Sequence, residues 1–137
     1  MDSSTIRFRA LGGADLRDAG ERELRSVLAQ PKRLALLAYL ALATPAGCHR
    51  RDALLALFWP ELDQERARRA LRQAVHFLRR TLGAHVVEGL GDAIGLTPES
   101  VWCDVQAFRE ALSHGDVATA LALYRGDLLD GFFIADA

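Results

Sequence analysis

The sequence predicts an α+β chain in which a short N-terminal antiparallel sheet, three helices and a β-hairpin are followed by a helical hairpin. Three observations predict it. Polar and apolar residues alternate weakly over the first thirty positions. Apolar residues recur at helical spacing in three blocks between Pro31 and Gly83, and "HVVEGLGDAIGL" then sets a glycine-rich turn between two extended runs. At 137 residues, half of them apolar, the chain is long enough for one core and an appendage.

In chain order, "TIRFRAL", "GGADLRD" and "RELRSVL" read as short antiparallel strands, with Gly12-Gly13 and Gly20 as turns. Ile6, Phe8 and Ala10 share one face of the first strand and Arg7 and Arg9 the other, the pattern of a half-buried sheet. "PKRLALLAYLALATPAG" opens with Pro31, tolerated in a first helical turn, and closes at Pro45 and Gly47; apolar nearly all round, it should be the central buried helix. "RRDALLALFWPE" repeats apolar residues at Leu54, Leu55, Leu57 and Phe58 and stops at Trp59-Pro60. Asp63 caps a third helix, Glu65 complements the dipole of its first turn, and Gly83 ends it.

This third helix contains "RARRALRQAVHFLRR", residues 66–80, with six arginines and no carboxylate. Ala67, Ala70, Leu71, Ala74, Val75, Leu78 and Leu82 fall on one arc, and Arg66, Arg69, Arg72, Gln73, His76, Arg79 and Arg80 on the other. A solvated face normally mixes signs, because like charges three or four residues apart repel by about a few tenths of a kcal/mol per pair. Here Arg66, Arg69 and Arg72 are so spaced, Arg68 lies beside them, and no acid occurs between Glu65 and Glu88. Such a face is built for an anion. Three helices, the last one basic, followed by a hairpin, is the order of a winged helix-turn-helix, whose third helix is sized for the DNA major groove. Arg50 and Arg51 start the helix that would cross the phosphate backbone. Lys32 and Arg33, at the start of the first helix, fit either solubility or backbone contact, and His49 and His85 are further candidates for phosphate.

The composition changes at Pro98: residues 1–100 hold fifteen Arg and Lys against twelve Asp and Glu, and residues 101–137 hold two against six. "VWCDVQAFREALSHGDVATALALYRGDLLDGFF" reads as a short strand, Val101 to Cys103, and two helices, with Asp104 capping the first and Gly115-Asp116 between them. Ala107, Phe108, Ala111 and Leu112 are expected to face Ala118, Leu121, Ala122 and Tyr124 in a tetratricopeptide-like hairpin. Leu128, Leu129, Phe132, Phe133 and Ile134 are expected either to fold back on the winged helix or to form an exposed contact patch.

The segments "LALLAYLAL", "LLALFWPELDQERARRALRQAVHFLRRTLG", "VWCDVQAFREAL" and "ALALYRGDLLDGFF" together resemble the antibiotic-regulatory-protein (SARP) type of bacterial transcriptional activator, in order and over nearly the whole chain. The resemblance implies an OmpR-like winged-helix DNA-binding domain over 1–98. The beginning of an all-helical bacterial transcriptional activator domain follows over 99–137, truncated because the family's domain runs on for several helices. It implies binding to promoter repeats of double-stranded DNA, commonly as side-by-side copies such as a homodimer, and recruitment of RNA polymerase. The recognition helix then falls on residues 63–82, with Arg66, Arg69, Arg72, Gln73, His76, Arg79 and Arg80, joined by Arg50 and Arg51, as the DNA-binding set. Many relatives carry Asn at the position of Ala70, and an aromatic followed by Arg in place of His76-Phe77; these departures bear on the target sequence and not on the fold.

Other chemistries find no support. No apolar run reaches the roughly 18 to 20 residues of a membrane span, and "MDSSTIRFRA" has no secretory h-region, so a cytoplasmic protein is expected. Cys48 and Cys103 form no C-x-x-C pair and the four histidines have no ligand spacing, so neither metal nor cofactor is expected. Trp59 and Trp102 read as packing residues. "GLGDAIG" lacks the strand-to-helix context of a dinucleotide fold, no nucleophile motif occurs, and the chain is not expected to be an enzyme. The rival reading is a helical protein–protein interaction module whose basic face binds an acidic partner.

Overall fold

The computed structural model describes residues 5–42 and 48–129, and the side chain of Leu90 is not described. Two compact units separate: residues up to Pro31 together with those from Glu99 onward, and Lys32–Pro98. The fold is mixed α+β, with six helices and two three-stranded sheets among the described residues.

The first unit is organised by β1 (Ile6–Arg9), the central strand of a sheet ordered β2-β1-β6. β2 (Asp15–Arg17) pairs with it antiparallel and β6 (Val101–Cys103) pairs with it parallel, in the register Ile6 to Val101 and Phe8 to Cys103. Ile6, Phe8 and Ala10 are buried, while Arg7 and Arg9 lie on the opposite, half-buried face, as the alternation requires. The sheet is therefore not purely antiparallel. Parallel neighbours need a long connection, and here all of residues 32–98 lie between the paired strands, so β1 and β2 group with residues beyond 98.

"RELRSVL" forms no strand. A single bridge joins Arg17 to Glu23, after which the chain coils into α1 (Arg25–Leu28). Of that turn only Val27 is buried; the Leu24 N–H still donates to Leu16 of β2 at 2.8 Å, but the N–H groups of Val27 and Leu28 turn back to the Leu24 carbonyl, which ends the pairing.

Asp104 does not cap α5 (Asp104–Ser113); Cys103, with extended backbone, holds that place and Asp104 is the first helical residue. The Asp104 carboxylate is 2% exposed and accepts the N–H groups of Ala10 at 2.8 Å and Leu11 at 3.0 Å. It ties the end of β1 to the start of α5, where the helix dipole also favours negative charge. Burial also pushes the neighbouring Cys103 thiol upward in pKa, which keeps it protonated at neutral pH.

α5 packs against α6 (Val117–Leu123), whose N-cap Asp116 accepts the Thr119 N–H at 3.1 Å. Ala111 and Ala120 are buried and the Phe108 and Tyr124 rings lie 6.1 Å apart. Leu112 and Leu121, expected between the helices, are instead exposed: with small Ala111 and Ala120 buried in the hairpin, these leucines fall to its outside. Beyond α6, Gly12 N–H donates to the Asp127 carbonyl at 3.0 Å and Leu129 N–H to Ala10 at 2.6 Å, so this segment lies along residues 10–12 of its own unit. Leu128 is exposed; Phe132, Phe133 and Ile134 lie outside the described residues.

The second unit holds α2 (Pro31–Leu42), α3 (Arg51–Phe58), α4 (Gln64–Leu82) and a sheet ordered β3-β5-β4. Leu34, Leu36, Leu37, Ala38 and Leu40 of α2 are buried, as expected of a central helix. β4 (Val87–Leu90) and β5 (Ala93–Leu96) form the hairpin; a two-residue strand absent from the sequence reading, β3 (His49–Arg50), adds to β5. Trp59 is buried at the end of α3 with the Lys32 ammonium 5.9 Å from its ring centroid. Lys32 also donates to Glu61 at 2.9 Å, which holds the Glu61 carboxyl below its ordinary pKa. Among the described residues no helix is long and apolar enough to cross a membrane, and no group of three or more His, Cys, Asp or Glu could hold a metal ion.

Asp104→Ala leaves two enclosed N–H donors without an acceptor and is expected to destabilise the protein by about 3 kcal/mol, Asp104→Asn by roughly half as much. Urea denaturation reads both; a loss under about 0.5 kcal/mol for the alanine variant would contradict the anchoring role.

Candidate nucleic-acid interface

α4 is long because both its ends are well specified. Asp63, in extended conformation, accepts the Arg66 N–H at 2.8 Å. At the other end Gly83 has φ +121°, and a Cβ there would lie 2.9 Å from the His85 ring, so the stop needs glycine. Between them Ala67, Leu71, Ala74, Val75, Phe77, Leu78 and Leu82 are buried, and Arg66, Arg68, Arg69, Arg72, Gln73, His76 and Arg80 are exposed. The two arcs follow the sequence reading except that Ala70, expected in the core, and Arg79, expected to face outward, are half-buried, and Phe77 joins the buried set.

Two hollows flank the exposed ridge. On one side Arg50, Arg51, Arg68 and Arg79 surround a space of about 740 Å³, floored by Leu55, Leu71 and Val75 and carrying the acids Asp52 and Asp92. On the other, Arg33, Arg69, Gln73 and Arg80 line a shallower hollow of about 330 Å³. Arg72 and His76 line both and so occupy the ridge between them. Among the described residues no carboxylate forms an ion pair with Arg68, Arg69, Arg72 or Arg80, and Arg66 has only an open contact of 3.7 Å to Asp63.

Two members of the expected set are engaged within the unit. The Arg79 Nε donates to the Val87 carbonyl at 3.0 Å, joining α4 to β4. Arg51 donates its guanidinium to the Gly91 carbonyl at 2.6 Å and its backbone N–H to Asp92 at 2.8 Å, gripping the tip of the hairpin. Gly89 leaves room for this grip, since a Cβ there would come 3.1 Å from the Arg51 guanidinium. The base of the hairpin is closed by the Thr97 hydroxyl, which donates to the His85 carbonyl, and by Thr97 N–H to Val86 at 2.8 Å. The hairpin is therefore fixed to the helices by hydrogen-bonded arginines.

Arg33 gains a definite place: its guanidinium lies 4.6 Å from the Phe77 ring centroid, on the flank of α4. The spacing of α2 alone could not reveal that neighbour. His49 does not reach outward through Nε2, which is enclosed without a hydrogen-bond partner while the ring meets Tyr39 edge-on at 5.1 Å. His85 is exposed.

No family model matches this sequence, and no curated protein matches it. Among solved structures the chain is similar to Mycobacterium tuberculosis EmbR in complex with a low affinity phosphopeptide, with a TM-score of 0.68 and 24% identity over 93% of this chain. The match covers 38% of that chain. What this likeness shows is the fold: the α+β arrangement is EmbR-like.

Arg79→Ala removes one hydrogen bond between α4 and the wing, about 1 kcal/mol, and is expected to speed amide exchange across Val87–Leu96 roughly fivefold. Arg80→Ala, one residue on and exposed, should leave that exchange unchanged. Equal protection in both variants would show that Arg79 does not brace the wing.

Proposed function

We propose that this chain is a sequence-specific DNA-binding regulator of transcription, an activator of the SARP type, that lays α4 in the major groove of promoter repeats. The observation that carries the proposal is the exposed face of α4, where Arg68, Arg69, Arg72 and Arg80 have no carboxylate partner among the described residues and stand beside a braced hairpin. A helix of this width fits the major groove, about 12 Å across. Arg72 and His76, on the ridge between the two hollows, reach the base edges first, with Arg69 and Gln73 beside them; arginine suits guanine and glutamine suits adenine. Arg50, Arg66 and Arg68, and Arg33 with Arg80 on the other flank, hold phosphates and set the register. Arg51 and Arg79 serve the interface through the wing. In the same reading residues 1–98 supply DNA binding and residues 99–137 begin an activator domain that contacts RNA polymerase, with copies side by side on DNA.

The test is fluorescence anisotropy of the chain with a pool of random duplexes from low to physiological salt, with sequencing of the bound fraction. Affinity should fall with log salt by a slope of about −0.9 per phosphate neutralised, and a repeated motif should be enriched. Arg69→Glu with Arg72→Glu should lower affinity by about 100-fold or more with unchanged circular dichroism. Weak binding at every salt, or binding indifferent to those charges, would overturn the proposal and turn the basic face toward an acidic protein.

A further inference from the structure

A second cluster of arginines lies in the other unit, on the outer face of β1 and β2. The strand register sets Arg7 directly opposite Arg17 and Arg9 opposite Asp15. Arg125 joins the cluster from the segment after α6. It is brought there by close backbone approach: a Cβ on Gly126 would lie 3.0 Å from the Gly12 Cα, and Gly12, at φ +106°, donates its N–H to Asp127. Of the two arginines among residues 101–137, one is thus strapped against the arginine face of the sheet.

Arg7, Arg9, Arg17 and Arg125 line a cavity of about 590 Å³ together with Asp15 and Glu21. The acids are committed. Asp15 accepts the Arg17 Nε through both oxygens at 3.2 and 3.1 Å, and Glu21 lies 3.7 Å from Arg7. Among the described residues neither Arg9 nor Arg125 has an ion-pair partner; Arg9 sits 6.0 Å from the Trp102 ring centroid. The cavity therefore carries two unmatched positive charges, and its volume falls in the range of small-molecule sites, about 300 to 1,000 Å³.

We infer that the cavity bounded by Arg7, Arg9, Arg17 and Arg125 binds a phosphoryl-bearing small molecule of nucleotide size, its phosphates held by Arg9 and Arg125. Guanidinium groups favour this chemistry, because each offers paired N–H donors that match two phosphate oxygens. A DNA backbone presents the same oxygens, and the experiment separates the two sources.

Isothermal titration calorimetry of the full chain with inorganic pyrophosphate and with ATP, in the presence of a chelator, should show saturable binding at one site. Arg9→Gln with Arg125→Gln should weaken it at least tenfold while circular dichroism and duplex affinity stay unchanged, and Arg69→Glu with Arg72→Glu should leave it intact. Pyrophosphate should also raise the Tm of the wild-type chain and not of the Arg9/Arg125 variant. No saturable binding of either probe at millimolar concentration would overturn the inference. So would binding lost with the α4 variant instead, which places the anion on the helix. Competition by duplex, with the Arg9/Arg125 variant losing duplex affinity, would assign these arginines to DNA.

Discussion

α4 must hold arginines three and four residues apart on one face while keeping the other face in the core, and the rest of the second unit answers to that requirement. The close pairs are Arg66 with Arg69, Arg69 with Arg72, and Arg68 with Arg72, which together cost on the order of 1 kcal/mol. Against this, Leu71, Val75, Phe77, Leu78 and Leu82 are buried, each contributing roughly 1.5 to 3 kcal/mol. Burial wins by a wide margin. The helix can therefore present a cationic surface without internal neutralisation, provided that α2, α3 and the hairpin keep its apolar side covered.

Around α4 arginine serves three separate ends, and the surroundings decide which. Where a carbonyl faces the guanidinium, as Val87 faces Arg79 and Gly91 faces Arg51, the side chain becomes a strut between elements. Where a ring faces it, as Phe77 faces Arg33, the planar cation stacks and retains its outward donors. Where neither is near, as at Arg68 or Arg72, the charge stays available for a ligand. The struts matter to the free cations, because a hairpin fixed at its tip and on its first strand keeps the larger hollow open beside α4.

Local features of the fold were legible in the sequence. Asp63, Gly83 and the 3.6-residue spacing between them located α4 and both its faces, because caps and periodicity act over a few residues. The β4–β5 hairpin was legible for the same reason. Non-local features were not. The parallel pairing of β1 with β6 joins residues about 95 positions apart, and nothing in "TIRFRAL" or "VWC" encodes a partner. Asp104 looked like a cap because Asp before an apolar run usually is one, yet its carboxylate is taken by backbone at residues 10 and 11. Similarly, Arg51 and Arg79 were indistinguishable from their neighbours until the hairpin carbonyls were placed beside them. Arg125 could be assigned to the sheet only once Gly12 and Gly126 were seen to meet.

The formal net charge of −1 says little about what a polyanion meets, because screening makes charge a local property. At about 0.1 M salt the Debye length is roughly 10 Å, which is less than the length of α4, at about 1.5 Å per residue over its 19 residues. An anion at Arg72 therefore responds chiefly to the arginines of the same face, and to Asp52 and Asp92 beside them. Near neutrality the whole chain gains little long-range steering toward a polyanion, in contrast to a uniformly basic protein. Discrimination then rests on contacts made within one Debye length of the ridge. That is the regime in which a fixed wing and stacked guanidinium groups matter most, since a mobile cation loses more of its short-range attraction to conformational entropy than a held one does.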